Sequence, residues 1–212
     1  MKTDRLIEFL AQGASTEPAP ALSGRLLMTA SLGLLISLAI VMVLIGPLPA
    51  EMFTTASPWI KLAYTLLLVA AAVWLTTGLA KPLARLATPV TLLWLILLGM
   101  LGLGAWTLIQ TPANDRFNAL FGQTWLVCPW IVLLVSLPTL IALQKTVREF
   151  APTHLRQAGF ACGLLAGALG AAAYALACPE DSLAFVAVWY TAGILMTALT
   201  GALSSRWLLR WA

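Results

Sequence analysis

Long apolar stretches alternate with short polar connections along most of this chain. Six windows of roughly 20 residues contain no Asp, Glu, Lys or Arg, and each is long enough to cross a hydrocarbon core as a helix. They run approximately from Leu26 to Ile45, Leu62 to Ala80, Val90 to Ile109, Thr124 to Leu143, Gln157 to Ala177 and Leu183 to Leu203. The pattern predicts an all-α polytopic membrane protein with six transmembrane helices.

Composition supports this fold class and narrows the function. Hydrophobic residues make up 61% of the 212 residues and charged residues only 9%, whereas soluble domains carry about 25% charge. No basic stripe interleaved with aromatic residues indicates direct nucleic-acid binding. A single histidine, His154, and the lack of a Gly-rich phosphate loop argue against an enzyme, and no cofactor is expected.

Lysines and arginines indicate the orientation of the helices. Ten of the twelve lie before the first window or after the second, fourth and sixth, while only Lys61 and Arg116 lie on the other side. Short cytoplasmic loops are enriched in these residues, so both termini are predicted to be cytoplasmic. A signal peptide cleaved near Leu48-Pro49-Ala50 is the alternative, although the first apolar stretch exceeds a usual signal-peptide core. The predicted regions are a cytoplasmic segment (1–24), a transmembrane domain (25–205) and a cytoplasmic tail (206–212).

Several windows carry packing signals. Gly163 and Gly167 form a small-residue stripe that Ala166 and Gly170 continue, which favours a central fifth helix. The connection from Cys178 to Ser182 is short, so the fifth and sixth helices should form an antiparallel hairpin. Pro129 and Pro138 are expected to remove backbone donors from the fourth helix and to kink it. Interfacial anchors are predicted at Trp59, Trp106, Trp125, Trp130, Trp207 and Trp211.

The N-terminal segment has an apolar face too small to fold alone. Thr3 can cap a short helix whose apolar face contains Leu6, Ile7, Phe9 and Leu10. A helix of about ten residues is marginal in water, so it needs a partner. A lipid surface and a groove on a cytoplasmic protein are equally good interpretations.

No predicted span contains an ionisable residue that would serve a coupled ion transporter. A pore for neutral solutes or a lipid carrier needs only polar side chains such as Thr65, Thr76 and Gln123, and it stays open as an alternative function.

Four stretches of the chain resemble one known family. They are Thr3-Asp4-Arg5-Leu6-Ile7, Arg116-Phe117-Asn118 through Trp125-Leu126-Val127-Cys128-Pro129-Trp130, Ala151-Pro152-Thr153, and Cys178-Pro179-Glu180-Asp181-Ser182 through Val188-Trp189-Tyr190. Together they look like the NrsF family of negative regulators of sigma F. The two Cys-Pro pairs are the most specific part of this resemblance.

The resemblance implies an anti-sigma factor that holds an extracytoplasmic-function sigma factor at the bacterial inner membrane and releases it on stress. Partner-binding candidates are then Asp4, Leu6, Ile7, Phe9 and Leu10. In the family pattern a histidine precedes the second cysteine, whereas this chain has Ala177, which weighs against a metal site.

Topology places Cys128 and Cys178 at similar depth on the periplasmic side, and Cys162 is expected to be a separate packing thiol. All three can be small apolar fillers, but the paired Cys-Pro motifs favour sensing by the first two. A disulfide, or capture of a soft metal by the two thiolates with Glu180, Asp181 or water, would then change how the fourth and fifth helices pack.

Overall fold

The chain folds as a bundle of six long helices. The computed structural model describes residues 22–79, 86–150 and 152–209, and within these ranges there is no β-strand. Two short pieces lie in the connections, a 3-10 helix at Ala50–Thr54 and a helix at Arg116–Phe121. The six long helices are α1 (Leu22–Leu44), α2 (Ser57–Leu79), α3 (Ala87–Gln110), α4 (Cys128–Arg148), α5 (Leu155–Tyr174) and α6 (Leu183–Leu208).

All six are long and apolar enough to cross a membrane, which confirms the predicted number of helices. α6 is not uniform: a short α-helical turn, Leu183–Phe185, leads through a π-helical turn, Val186–Tyr190, into the regular helix Thr191–Leu208. The π-helical turn was not predicted, because apolar periodicity does not distinguish a local π-helical turn from the α-helix around it.

Two helix boundaries differ from the prediction in ways that matter for function. α2 begins at Ser57 rather than at Leu62, because Pro58 is compatible with a first helical turn. The expectation that every span lacks an ionisable residue is therefore wrong, since Lys61 lies inside α2. α4 begins at Cys128 rather than Thr124, so Pro129 lies in its first turn, where it does not kink the helix; only Pro138 lies in the helix interior.

Helix α5 is the centre of the bundle, as its small residues predicted. Of the most apolar stretch of α5, 89% is buried, against 17% for α3. α5 contacts α1, α2, α4 and α6, whereas α3 packs at the side against α2 and the first turns of α6. A helix that is surrounded in this way has no face left for lipid.

The closest approach in the bundle is between α5 and α6. A Cβ atom added to Gly163 would overlap the Thr197 carbonyl oxygen and lie 2.7 Å from the Ala198 Cα atom. One added to Gly159 would overlap the Gly201 carbonyl oxygen. Because these obstacles are backbone atoms, no side-chain rotation can make room, and only glycine fits. The predicted antiparallel hairpin of α5 and α6 is thereby confirmed.

Buried polar side chains connect α1 to α4 and α4 to α6. Ser37 in α1 donates to the Val135 carbonyl (3.1 Å), and Thr139 in α4 donates back to the Gly33 carbonyl (3.1 Å). Gln144 in α4 donates through Nε2 to the Gly201 carbonyl in α6 (2.8 Å). Such bonds fix the register of helices that apolar packing alone would leave free to slide.

The predicted tryptophan anchors have different environments. Four are well exposed near helix ends: Trp59, Trp106, Trp130 and Trp207. Trp125 is instead partly buried in an aromatic cluster, and Trp211 lies outside the described residues.

The glycine contacts generate a stability prediction. Gly163→Ala should lower the free energy of unfolding by about 1–3 kcal/mol, because the added methyl overlaps α6 backbone. Gly102→Ala is the matched control: Gly102 has open space around its Cα atom, and alanine favours a helix by up to about 1 kcal/mol. Thermal unfolding of the purified protein in detergent measures both. Equal unfolding midpoints for the two variants would show that the close approach of α5 and α6 at Gly163 does not determine the stability of the bundle.

Candidate functional site

The structure brings Cys128 and Cys178 together at one end of the bundle. Cys128 is the first residue of α4, and Cys178 lies in the connection that follows α5. Both are free thiols with no exposed surface, and they lie close enough for each to act on the ionisation of the other. The two cysteines, which were predicted to lie at similar depth, are therefore also neighbours in the structure.

Hydrogen bonds from three parts of the chain hold the connection that carries Cys178. Its amide donates to the Tyr174 carbonyl (2.9 Å), which continues the last turn of α5. The Leu48 amide, from the connection between α1 and α2, donates to the Leu176 carbonyl (3.0 Å). Lys61 in α2 donates through Nζ to the Cys178 carbonyl (3.1 Å). The position of the thiol is thus set by three separate parts of the chain.

Glu180 connects this segment to the start of α4. Its Oε1 atom accepts from the amides of Gln123 (2.8 Å) and Thr124 (3.0 Å) and from the Thr124 hydroxyl (3.0 Å). The Thr124 carbonyl in turn accepts from the Cys128 amide (2.8 Å). One carboxylate therefore couples the segment bearing one cysteine to the helix start bearing the other.

Gly122 makes room for this carboxylate. Its φ angle is +54°, and a Cβ atom at this position would overlap the Glu180 carboxylate. An L-residue would meet both the backbone penalty and the overlap. The Glu180 contact and Gly122 are thus parts of one arrangement.

Lys61 is the component that sequence reasoning assigned wrongly. Instead of lying in a periplasmic loop, it is fully buried. Among the described residues, no carboxylate lies within 4.0 Å of its ammonium group. The Ser57-Pro58 start of α2 is the sequence signal that could have placed Lys61 on the helix, but nothing local in the sequence indicates its burial.

Two tyrosines complete the surroundings of the thiols. The rings of Tyr174 and Tyr190 are stacked with centroids 5.9 Å apart. The Tyr190 hydroxyl is buried and has no hydrogen-bond partner of standard geometry within the part of the chain that the structure describes. The titratable neighbours that act on it are Cys178, Cys128 and Tyr174. A buried hydroxyl without a partner is costly, so this is a site that a negatively charged group would satisfy.

An aromatic cluster covers the nearby connection before α4. Trp125 packs against Trp189 with ring centroids 5.2 Å apart and against Phe121 at 5.3 Å. Trp189 donates through Nε1 to the Leu120 carbonyl (2.9 Å). The cluster fixes the short helix Arg116–Phe121 beside the first turns of α6.

The electrostatics of the site favour the ionised form of one thiol. Hydrogen bonding with the Cys128 thiol, and next the positive charge of Lys61, hold the pKa of Cys178 below its ordinary value although burial acts in the opposite direction. Cys162 lies near the other end of α5 and is fully buried, as expected for a packing thiol.

Other predicted site residues are not part of this arrangement. Asp4, Leu6, Ile7, Phe9 and Leu10 lie outside the described residues. Within the described ranges, no group of three or more His, Cys, Asp or Glu residues is gathered to hold a metal ion. The Glu180 carboxylate, which was considered as an additional ligand, is already engaged by two amides and a hydroxyl.

The Glu180 contact generates a prediction about how fast the two thiols can bridge. Glu180→Ala should slow oxidant-driven formation of a Cys128–Cys178 disulfide several-fold, because the start of α4 loses its connection to the segment after α5. Glu180→Gln keeps an acceptor oxygen and should be affected less. Asp181→Asn, at an exposed neighbouring position, is the control. Non-reducing mass spectrometry over time measures the bridge, and unchanged kinetics in Glu180→Ala would contradict the prediction.

Comparisons with known proteins give matches over nearly the whole chain. Residues 10–211 match the family model described as NrsF, negative regulator of sigma F. A probable anti-sigma-F factor NrsF of Azospira oryzae is 36% identical over 218 aligned residues, and the anti-sigma-F factor NrsF of Caulobacter vibrioides is 34% identical over 217; both alignments cover 100% of either chain. No solved structure matches. The chain therefore belongs to the NrsF family of negative regulators of sigma F.

Proposed function

We propose that this protein is an anti-sigma factor that holds an extracytoplasmic-function sigma factor at the inner membrane and releases it on oxidative stress. The observation that carries the proposal is the full-length match to two relatives that are named anti-sigma-F factors. The alignments cover all of this chain and all of each relative. Every region of the relatives therefore has a counterpart in this chain.

The proposed orientation has both termini in the cytoplasm. Its support is the position of basic residues: Arg25 lies near the start of α1, Arg148 at the end of α4, Arg156 at the start of α5 and Arg206 near the end of α6. These helix ends share one side of an antiparallel bundle, and such residues favour the cytoplasm. The paired cysteines then face the periplasm, where thiols meet oxidising conditions.

The N-terminal segment is the proposed docking element for the sigma factor. Leu6, Ile7, Phe9 and Leu10 provide an apolar face that needs a partner, and Asp4 offers a charge beside it. Lys and Arg residues flank the segment on the proposed cytoplasmic side, where the sigma factor would be found.

The paired thiols are the proposed sensor. Disulfide formation is better supported than metal capture, because the two thiols lie close together and the described residues gather no group of three or more His, Cys, Asp or Glu side chains. A disulfide between the start of α4 and the segment after α5 would restrain two helices that now meet only through non-covalent contacts.

Helix α4 offers a route from the sensor to the docking element. It starts at Cys128 and ends at Arg148, and the next residue, Glu149, forms an ion pair with Arg25. Arg25 directly follows the N-terminal segment. A shift of α4 at the cysteine end would therefore reach the residue next to the docking segment.

The docking role predicts that the apolar face controls holding of the sigma factor. Leu6→Ala combined with Phe9→Ala should weaken the complex by an order of magnitude or more, since each large apolar side chain contributes roughly 1.5–3 kcal/mol when fully buried. Glu8→Gln, outside the apolar face, is the control. Co-purification of the sigma factor from detergent measures holding. If deletion of residues 2–12 left the sigma factor membrane-bound and its genes repressed, the segment would instead belong to the lipid surface.

The sensor role predicts that induction needs both paired thiols. Cys128→Ser, Cys178→Ser and the double variant should lose induction of a sigma-dependent reporter by a hydroperoxide, because none of them can form the bridge. Cys162→Ser should respond normally, since Cys162 is a buried packing residue elsewhere on α5. If the double variant still responded to the oxidant at the usual level, the sensor role would be contradicted and both cysteines would be packing residues.

A further inference from the structure

Among the described residues, no carboxylate lies within 4.0 Å of the buried ammonium group of Lys61. Its side chain is fully buried, and its ammonium group donates to a single identified acceptor, the Cys178 carbonyl. A buried ammonium is costly unless an opposite charge compensates it. Glu180 is the nearest carboxylate in the sequence around Cys178, but its Oε1 atom is occupied by two amides and a hydroxyl. Asp181 is exposed.

We propose that Lys61 is the counter-ion of a Cys178 thiolate, which makes Cys178 the attacking thiol and Cys128 the resolving thiol of the sensor. The assignment rests on the proposed thiol sensing and specifies how it works. Its basis is geometric: the ammonium donates to the Cys178 carbonyl (3.1 Å), and among the described residues no carboxylate lies within 4.0 Å of it. Asp181 and Glu180 act on Lys61 only from beyond that distance. Lys61 is a positioning and charge-compensating residue in this proposal, since it does not itself react.

The groups around the Cys178 sulfur agree with a thiolate at that position. α4 contributes Cys128, α5 contributes Tyr174, α6 contributes Tyr190 and α2 contributes Lys61. Three of these groups are neutral donors and the fourth is a cation. The buried Tyr190 hydroxyl, which otherwise has no partner among the described residues, gains one when the sulfur carries a negative charge. The pKa of Cys178 is lowered, first by hydrogen bonding with Cys128 and next by Lys61, and a lowered pKa likewise favours the thiolate.

This charge assignment determines the course of oxidation by a hydroperoxide. The Cys178 thiolate attacks the outer peroxide oxygen, the O–O bond breaks, and the leaving alkoxide takes up one proton to become an alcohol. The sulfenic acid formed on Cys178 then condenses with the Cys128 thiol and releases water. In sum, one thiolate, one thiol, one hydroperoxide and one proton give one disulfide, one alcohol and one water.

Disulfide formation removes the charge that compensates Lys61. The bridged sulfur atoms are neutral, so the ammonium keeps only the carbonyl bond in a buried site. We expect Lys61 to move toward water, and because it lies in the second turn of α2, the start of that helix must move with it. Oxidation is thereby coupled to helix movement through the loss of a counter-ion as well as through the new covalent bond.

The first test measures the pH dependence of Cys178 alkylation in the full-length protein in lipid nanodiscs. Iodoacetamide labels the thiols, and mass spectrometry reports each cysteine separately. Lys61→Met should move the midpoint of the Cys178 rate profile upward by about one pH unit or more and slow the reaction at pH 7 about tenfold. Changed access would alter the plateau rate at high pH and leave the midpoint in place.

Matched variants keep the test decisive. Lys61→Gln retains a donor for the Cys178 carbonyl without the charge, so it should shift the midpoint as Lys61→Met does and serves if Lys61→Met fails to fold. Lys61→Arg keeps the charge and should keep the midpoint. Lys145→Met, at an exposed position near the other end of α4, is the control. An unchanged midpoint in folded Lys61→Met or Lys61→Gln overturns the assignment.

The second test follows Lys61 itself. Amine acetylation with a water-soluble ester, read by mass spectrometry, should label Lys61 several-fold faster in hydroperoxide-oxidised protein than in reduced protein. Cys128→Ser treated in the same way should show no increase. Disulfide formation without faster labelling overturns the coupling to α2. Both tests use the isolated protein, so a shifted midpoint together with normal induction in the Cys128→Ser/Cys178→Ser variant would remove the sensor function while leaving the counter-ion assignment in place.

Discussion

The close approach of α5 and α6 is the contact on which the rest of the structure depends. In a lipid environment apolar side chains gain little by leaving one apolar neighbour for another, so helices associate through close van der Waals packing. Gly159, Gly163 and Gly201 allow that packing because a side chain at any of them would overlap the facing backbone. α5 is consequently held in the middle, and α1, α2 and α4 pack around it.

The thiol site follows from this arrangement because it lies where the α5–α6 hairpin turns. A tight hairpin fixes the segment after α5. Hydrogen bonds donated by Leu48, by Lys61, and by Gln123 and Thr124 to Glu180 connect that segment to three other parts of the chain. The start of α4 then meets it, bringing Cys128 to Cys178. A covalent change between these residues acts on helices that are already packed as closely as their backbones permit, so it cannot be absorbed by small side-chain adjustments.

Membership of the NrsF family and the geometry of the bundle contribute different parts of the functional proposal. The family identifies the class of regulator, and the structure places two buried thiols and the buried Lys61 at one end of α4, a helix that reaches the other end of the molecule. In the proposed mechanism, the buried cation beside an ionisable thiol stores electrostatic energy that one redox reaction releases. This role would give a physical reason for a lysine inside a helix that is apolar enough to cross a membrane, where lysines are otherwise rare.

The sequence by itself determined the six helices, the central position of α5 and the two candidate cysteines. Apolar length, small-residue spacing and the Cys-Pro pairs are local signals, and each survives in the folded chain. It also indicated the exposed tryptophans near helix ends, but not that Trp125 turns inward to meet Trp189. Only tertiary structure decided the environment of Lys61, the engagement of Glu180 by the connection before α4, and the position of Tyr190 against the thiols. Those features depend on which residues from distant parts of the chain share one buried volume. The composition of any single segment carries no record of them, because burial and electrostatic compensation are properties of the surroundings rather than of the residue.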